Sequence, residues 1–444
     1  MHIIDYQAQF QVVANALDGA GGFYDFTYLI QHPREPDTKY VRRQELAWYD
    51  NRLKPACAGF VGYIDKRPAT RDTGGNELLA AFVDDCDKCG NSLAVWLSSF
   101  MIQAKARGTM FCLVDSPKDK PASAQDQQSK REFAYLVQIK PEHITELQLD
   151  DFANVVKIVW TDHIGTGYIT RTWDAIGWKT QTDKGGVEEG EHGLGFCPVI
   201  AFTESLEVPY VGAFAQIAAM SKRLLNMHSE KDEIERSQTF SILNYVVPPE
   251  LRSSVKIGDV AASVGTENLL MSYGTSASFI APADGPLTLY MQDIAAMELR
   301  IDEVALKIVD SKNAESGVAR DMRFQALNAA LVSFATRMED FERRMWYVVA
   351  AWLKIDTKRL VVTWQKNYSL SDVKAEIENA AAVDALGMPD SFKRAQKKRI
   401  VSLLLSDTDQ DTLDEILNDI DEGEGEVKPS AEPLPGVADD PNQP

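Results

Sequence analysis

What this sequence lacks narrows its chemistry before any motif is read. No stretch approaches the roughly 18 unbroken apolar residues that a membrane span needs. The first residues, Met1 to Phe10, carry no basic region ahead of an apolar run, so a secretory signal is not expected. There is no Gly-Lys-Ser or Gly-Lys-Thr and no dinucleotide fingerprint, which excludes the common phosphate-cradling glycine loops. The six histidines (His2, His32, His143, His163, His192, His228) are isolated, so a helix bearing two histidine ligands is excluded. The five cysteines are odd in number and scattered, which fits folding in a reducing, intracellular place better than a disulfide framework.

Positive charge is scarce too. Against 66 Asp and Glu stand 46 Lys and Arg, a formal net charge of −20. A protein that grips DNA by its phosphates needs a basic surface, because affinity comes largely from neutralised phosphates and released counterions. This chain has the wrong overall sign for that. Solubility alone accounts for an acidic chain. The sharper alternative is a protein that touches DNA without holding it, and charge does not choose between the two.

The remaining candidates for chemistry are thin. Asp84 and Asp85, with Asp87 close by, and the pair Asp150-Asp151 are the acids that a magnesium-dependent nuclease would use. Neighbouring residues on a helix point about 100° apart, so solvated charge is the preferred reading of both pairs. Asp407, Asp409 and Asp411 alternate like the start of a calcium loop, but no glycine follows at the sixth position. Cys86 and Cys89 have metal-like spacing without a second pair or a nearby histidine. They fall within a predicted helix and read as structural thiols. No catalytic constellation is visible. The chain is expected to be no enzyme and to need no metal or cofactor.

What is there is a long chain with an uneven pattern. Its 444 residues, 45% hydrophobic and 25% charged, suit two or three globular domains. Residues 1 to about 205 read as mixed helix and strand. One helix is predicted over Asn76–Lys105, around Leu79, Phe82, Val83, Leu93, Trp96 and Phe100. Strand-like runs follow at Thr109–Val114, Phe133–Ile139, Val155–Trp160, Gly167–Trp173 and Pro198–Phe202. Ser116–Ser129 looks like a mobile polar loop, and Lys184–Gly195 like a hairpin tip.

The second half changes character. Val211 to about Thr239 reads as one helix whose first half is apolar (Phe214, Ile217, Met220, Leu224) and whose second half, Glu230–Arg236, is charged. A helix that loses its apolar stripe halfway leaves its own core, to meet a partner subunit or water. Pro248-Pro249 ends any helix, and the chain to Pro286 reads as a compact β subdomain. A second helix is predicted over Leu287–Val309, with Met291, Ile294, Met297, Ile301, Val304 and Ile308 three and four apart. A short polar break, Asp310–Gly317, follows. Phe324, Leu327, Leu331, Phe334, Met338, Phe341, Met345, Val348, Trp352 and Ile355 then keep a three-four alternation without a slip, a helix spanning about 50 Å. Phe, Trp and Met suit a coiled-coil seam poorly, so a helix buried along one stripe is preferred. Leu360–Trp364 reads as a strand and Ser369–Ile420 as a helical cluster (Val373, Ile377, Leu386, Phe392–Leu405, Leu413–Ile420). The acidic, proline-rich remainder reads as disordered.

This order of parts resembles the portal proteins of tailed, double-stranded-DNA bacteriophages. Local sequence is similar as well. Gly59-Phe60-Val61-Gly62 with Lys66-Arg67-Pro68 resembles an early helix-and-strand segment of one portal family. Asp84–Leu93, with Asp87, Gly90 and Ser92, leads through Arg107-Gly108 to Val114-Asp115-Ser116-Pro117, similar to that family's helix feeding a strand that ends in Asp-x-Pro. Leu225-Asn226 to Phe240, with Ser229, Glu230, Arg236, Gln238 and Thr239, resembles the approach from stem to clip. Glu315-Ser316-Gly317 resembles the junction of tunnel loop and long helix, and Trp364 with Tyr368-Ser369 the strand into the crown. The resemblance runs from about Asn51 to Ile420, and its weight lies in the order of the motifs. Such portals are often longer, and the tail after Asp421 has no counterpart.

The resemblance implies an α+β portal fold with long stem helices and a long wing spine helix. Its parts would be a wing over residues 1–210, stem helices at 211–242 and 286–309, a clip at 243–285 and a tunnel loop at 310–317. The spine helix and strand would occupy 318–368, the crown 369–420 and an acidic tail 421–444. It implies a homo-oligomeric, dodecameric ring at one capsid vertex of the virion, assembled in the host bacterial cytoplasm. Partners would be the terminase large subunit, a head–tail adaptor, the major capsid protein and scaffold protein, with double-stranded DNA passing non-specifically and no membrane. Glu230, Lys231, Glu233 and Arg236 would line the channel. Lys307, Asp310, Ser311, Lys312, Asn313 and Glu315 would form the tunnel loop, with Lys312 and Lys307 nearest DNA. Tyr245, Arg252, Lys256 and Tyr273 would meet adaptor or terminase. Three rival readings stand beside it: another phage head or connector protein, a metal-dependent nuclease using Asp84, Asp85 or Asp87, and a cellular coiled-coil scaffold.

Overall fold

Six consecutive residues, Thr109 to Val114, are buried, so this strand is covered on both faces. The computed structural model makes it the centre of the larger body. The structure describes residues 3–117, 133–239, 242–246, 249–251, 269–272, 278–280, 285–306, 317–356, 358–368, 389–404 and 410–422. The chain divides into two units, Met1–Tyr368 and Ser369–Pro444.

The first unit opens with helices α1 (Gln7–Asp18), α2 (Asp37–Leu46), α3 (Leu53–Asp65), α4 (Glu77–Asp84) and α5 (Leu93–Arg107). A short strand, β1 (Thr70–Asp72), lies between α3 and α4. The central strand is β2 (Thr109–Asp115), flanked antiparallel by β3 (Tyr135–Ile139) and, later in the chain, by β9 (Val199–Thr203). Met110, Cys112 and Val114 face one core with the helices, while Phe111 and Leu113 face a second core. That second core lies against a five-stranded antiparallel meander: β4 (Ile144–Leu149), β5 (Val155–Ile164), β6 (Gly167–Trp173), β7 (Gly177–Thr182) and β8 (Val187–Glu191).

The turn from α5 into β2 depends on glycine. Gly108 caps the helix at φ +86, and a Cβ there would sit 2.1 Å from the backbone nitrogen of Gly212. Backbone meets backbone at this point, which only two glycines permit. Arg107, fully buried beside it, makes hydrogen bonds of 2.9 and 2.5 Å to Glu142 and one of 2.6 Å to Gln103.

After β9 come α6 (Ala215–Thr239) and α7 (Gly285–Val304), which pack on each other. Between them in sequence lie β10 (Ile242–Val246), β11 (Leu269–Ser272) and β12 (Ser278–Ile280). β10 is central, parallel to β11 and antiparallel to β12. The 37-residue α8 (Gly317–Leu353) then crosses the main core. Leu327, Leu331, Phe334, Met338, Phe341, Met345 and Val348 are all buried, as the three-four spacing requires of a helix with one covered stripe. Phe341 stacks on Phe100 at 4.8 Å, and Phe334 tilts onto Phe202 at 5.3 Å. Strand β13 (Val361–Thr363) returns to pair with β1.

A carboxylate sits inside that apolar stripe. Glu342 is fully buried and accepts from Arg71 Nε at 2.6 Å and Nη2 at 3.1 Å. It also accepts from the indole nitrogens of Trp346 at 3.0 Å and Trp364 at 2.8 Å. Four donors satisfy its oxygens, which makes a charge tolerable there. The second unit contains α9 (Asp390–Leu404) and α10 (Gln410–Glu422), joined by Lys398 to Asp421 at 2.6 Å.

The structure corrects several expectations. The single helix over 76–105 is two helices. Asp85 and Asp87 turn back onto the amides of Gly90, Cys89 and Asn91, Lys88 and Gly90 take positive φ, and Ser92 caps α5. Side-chain oxygens here outcompete the helical backbone bonds. Cys86 and Cys89 therefore lie in a turn, not in a helix. Lys184–Gly195 is not all hairpin tip, since 187–191 forms β8 opposite β7. Gly317 begins α8 and is not part of the preceding loop. The predicted loop at Ser116–Ser129 falls outside the described residues beyond residue 117, as do Val373, Ile377, Leu386, Asp407, Asp409 and the tail beyond residue 422.

Candidate functional site

The α6–α7 pair carries the charged residues that the sequence singles out. Phe214, Ile217, Leu224, Leu225 and Met227 bury the first part of α6. Every residue from Glu230 to Arg236 is at least partly exposed. The transition follows the sequence, because nothing apolar except Ile234 remains to bury.

Ion pairs run along this stretch. Lys231 meets Asp232 at 3.2 Å and Glu235 at 3.0 Å, and Arg236 meets Glu233 at 3.6 Å. The two pairs one turn apart, Lys231–Glu235 and Arg236–Glu233, are partly exposed and contribute only tenths of a kcal/mol. Both cations are spent on neighbours, and four carboxylates against two cations leave the segment 230–236 acidic. Helix α7 adds Asp293, Glu298, Asp302 and Glu303 against Arg300 alone. The Tyr290 hydroxyl of α7 donates to Glu230 at 2.6 Å, and that bond together with burial pushes its pKa up to about 12. Arg52, ahead of α3, reaches Glu298 at 2.5 Å and Asp50 at 2.6 Å. The helix pair is thus fastened to the main core and presents a net negative wall.

Glu230, Lys231, Glu233 and Arg236 are brought together on α6. Tyr245 lies on β10, in register with Met271 of β11. Arg252, Lys256, Tyr273, Lys307, Asp310, Ser311, Lys312, Asn313 and Glu315 lie outside the described residues.

Of the acids considered for metal chemistry, Asp85, Asp87 and Asp150 are engaged in local turns. Asp85 is buried rather than solvated, its Oδ1 accepting from Gly90 N at 3.0 Å. Asp87 accepts from Cys89, Asn91 and the Asn91 amide, and these bonds outweigh its slight burial and hold its carboxyl below the usual range. Asp150 does the same for Phe152 and Asn154 in an exposed turn. Among the described residues no cluster of three or more His, Cys, Asp or Glu could hold a metal ion. All five cysteines are free, and burial pushes the thiols of Cys57, Cys86 and Cys197 up to about 12. Such thiols are poor nucleophiles.

One histidine–carboxylate pair escapes sequence reading. His143 Nδ1 lies 3.2 Å from Asp162, which also takes the Trp160 indole and Arg171. The partners are 19 residues apart and meet only because β4 and β5 pair. No hydroxyl or thiol among the described residues hydrogen-bonds to His143, so this pair lacks a nucleophile. No described helix is long and apolar enough to cross a membrane.

No family model matches the chain, and no curated protein matches it. Among solved structures, it is similar to a chain from the neck of an empty GTA particle computed with C6 symmetry. That likeness has 10% identity, 82% of this chain covered, 94% of that chain and a TM-score of 0.42. It is similar to a chain from the virion of a native gene transfer agent (GTA) particle, at 10% identity, 87% and 98% coverage and a TM-score of 0.39. A chain from the neck of the native GTA particle computed with C12 symmetry gives 12% identity, 84% and 97% coverage and a TM-score of 0.37. These likenesses are too distant to assign a family.

Proposed function

We propose that this chain is the repeating subunit of a portal ring, a non-enzymatic channel through which double-stranded DNA enters and leaves a phage-type capsid. The observation that carries the reading is the order of elements. A helix that outruns its own core, a three-stranded sheet, a second helix packed on the first and a 37-residue helix follow one another. An isolated subunit gains little by extending a charged helix beyond its apolar support. A ring of such subunits gives that helix neighbours on both sides and a channel to face.

The charge suits passage. A ring of about twelve copies would carry on the order of −240 formal charges. Glu230, Lys231, Glu233 and Arg236 would line the channel with their cations already paired, repelling phosphate while offering few unpaired donors to hold it. Residues 307–315 would approach the DNA, with Lys312 and Lys307 nearest. Tyr245, Arg252, Lys256 and Tyr273 would meet a terminase large subunit or a tail adaptor, and the outer body a capsid or scaffold protein.

Negative-stain microscopy of the purified full chain tests the reading. A ring with a central hole and about twelvefold symmetry is expected, and a rod or compact monomer at all concentrations refutes it. Lys312→Glu, or deletion of Asn313 and Ala314, should lower packaged-genome yield while rings still form.

A further inference from the structure

We propose that the groove between α8 and the edge of β9 is a docking site for an extended acidic segment of a partner protein, one that alternates carboxylates with apolar side chains. Two cavities, about 650 and about 420 Å³, share Ala153, Asn154, Ala201, Arg343 and Arg344 and so form one continuous groove. Its floor is a sheet edge. β9 ends the order β3-β2-β9. Val199 and Ala201 face one core and Ile200 the other, so a cavity touching all three runs along the strand's edge rather than over a face.

The backbone phase agrees. Glu204 N donates to Gly108 O, and Val114 N donates to Pro198 O, so even-numbered residues of β9 turn their amides to β2. Ala201 turns outward, and its carbonyl accepts from Arg344 Nη2 at 3.0 Å. An extended peptide adds to an edge of this kind through main-chain bonds.

The walls set the chemistry of the occupant. Arg337 and Arg344, seven residues apart on α8, share a face about 10 Å apart along the axis. Neither has a carboxylate within ion-pair distance among the described residues, and Arg344 bonds only to the carbonyls of Ala201 and Asp340. Arg343 holds Glu339 at 3.3 Å and Asp340 at 3.5 Å with most of its side chain in solvent. Asp150 also lines the groove, but its oxygens are taken by its own turn. Asp340 lines the groove too and its charge acts on Arg344, so three arginines against two carboxylates leave a net positive lining in a chain that is acidic overall. Carboxylates two to four residues apart on an extended segment span about 7–13 Å, which brackets the arginine spacing.

The rim is apolar. Phe152 is 85% exposed, Leu206 79% and Tyr347 63%, the last tilted on Phe196 at 5.7 Å. Large apolar groups gathered around a charged groove mark a protein-binding surface. A long nucleic acid is disfavoured by the net charge of −20 and by the lack of a basic stripe beyond these arginines. The inference does not depend on ring formation.

The test uses fluorescence anisotropy of the full chain with a fluorescein-labelled peptide that alternates Glu with Leu and Val. Saturable binding is expected, and the same peptide with Lys for Glu should not bind. Arg337→Ala together with Arg344→Ala should weaken binding about tenfold or more. Arg337→Ala and Phe152→Ala change exposed or unbonded side chains, so each should weaken binding while circular dichroism and melting stay as in wild type. Absence of saturable binding overturns the proposal, as does wild-type affinity in all the variants. An oligodeoxynucleotide that competes as strongly as the peptide would reassign the groove to nucleic acid. Concentration-dependent self-association abolished by Arg337→Ala would reassign it to a second copy, and both results count against the proposal.

Discussion

Removing the buried carboxylate of Glu342 should destabilise the larger unit more than any surface change on the same helix. The side chain is fully buried and takes four hydrogen bonds, two from Arg71 and one from each of Trp346 and Trp364. Glu342→Ala leaves the Arg71 guanidinium, itself 10% exposed, without its counter-charge. Breaking one side of a buried pair costs about 3–5 kcal/mol, and an indole N–H left dry adds about 1–3 kcal/mol unless water enters. The expected loss is about 4 kcal/mol or more. Arg71→Met should cost less, because two indole donors still hold Glu342.

The double change Arg71→Met with Glu342→Leu removes both charges and fills the space, so it should cost clearly less than the sum of the single changes. A coupling of about 2 kcal/mol is expected for partners in direct contact. Urea unfolding followed by tryptophan fluorescence reads this directly, since Trp346 and Trp364 are part of the site. With an m-value near the upper end, about 3 kcal/mol per molar, the Glu342→Ala midpoint should fall by roughly 1.3 M. A Glu342→Ala protein within about 1 kcal/mol of wild type, or a coupling under about 0.5 kcal/mol, would refute the reasoning.

Three further outcomes are expected. Gly108→Ala forces a side chain into φ +86 and against the Gly212 backbone, so it should cost at least about 3 kcal/mol; wild-type melting would contradict the close approach. Burial alone would raise the Glu142 pKa, but the Arg107 hydrogen bonds and charge outweigh it and hold the carboxyl below an ordinary glutamate's 4.5. A depressed folded pKa adds stability above the unfolded value, and that stability is lost as pH falls through the folded one. Wild type should therefore lose stability below about pH 4.5 more steeply than Glu142→Gln, the two melting curves converging; parallel curves would remove Glu142 from the account. Tyr290→Phe deletes the donor to Glu230 and should cost about 1 kcal/mol, read as faster amide exchange along α7, with unchanged protection as the contrary result.

The long helices were legible in the sequence because each buries a single stripe, and a stripe leaves a three-four spacing wherever its partners come from. α8 shows this best, from Leu327 to Val348. Strands β7 and β8 were not legible. Their sequences, Gly177–Thr182 and Val187–Glu191, are polar and partly or wholly exposed on both faces, so no alternation marks them. Pairing alone makes them strands, β7 against β6 and β8 against β7. The break between α4 and α5 was hidden for the opposite reason. Leu79, Phe82, Leu93, Trp96 and Phe100 are all buried, so the apolar spacing carried across it, while the stop lay in Asp85 and Asp87 bonding locally to backbone amides.

The same distinction governs the sites. Position 342 lies off the three-four stripe and within a run of charges from Arg337 to Arg344, so nothing in the sequence marks Glu342 as buried. Nor was its main partner legible, since Arg71 lies 271 residues away. Arg337 and Arg344 are seven apart and visibly share a face of α8. Phe152 and Leu206, the rim opposite them, come from a turn of the meander and from the segment after β9, and no local pattern connects these to α8. One wall of a site is therefore legible when that wall is a helix face. The second wall is set by strand register and by turns such as Asp150–Asn154, whose geometry depends on side-chain oxygens meeting backbone amides. A charge on a buried or half-buried helix face is thus the feature to follow across the fold: at Glu342 it leads to a completed pair, and at Arg337 to the groove proposed to take an acidic segment.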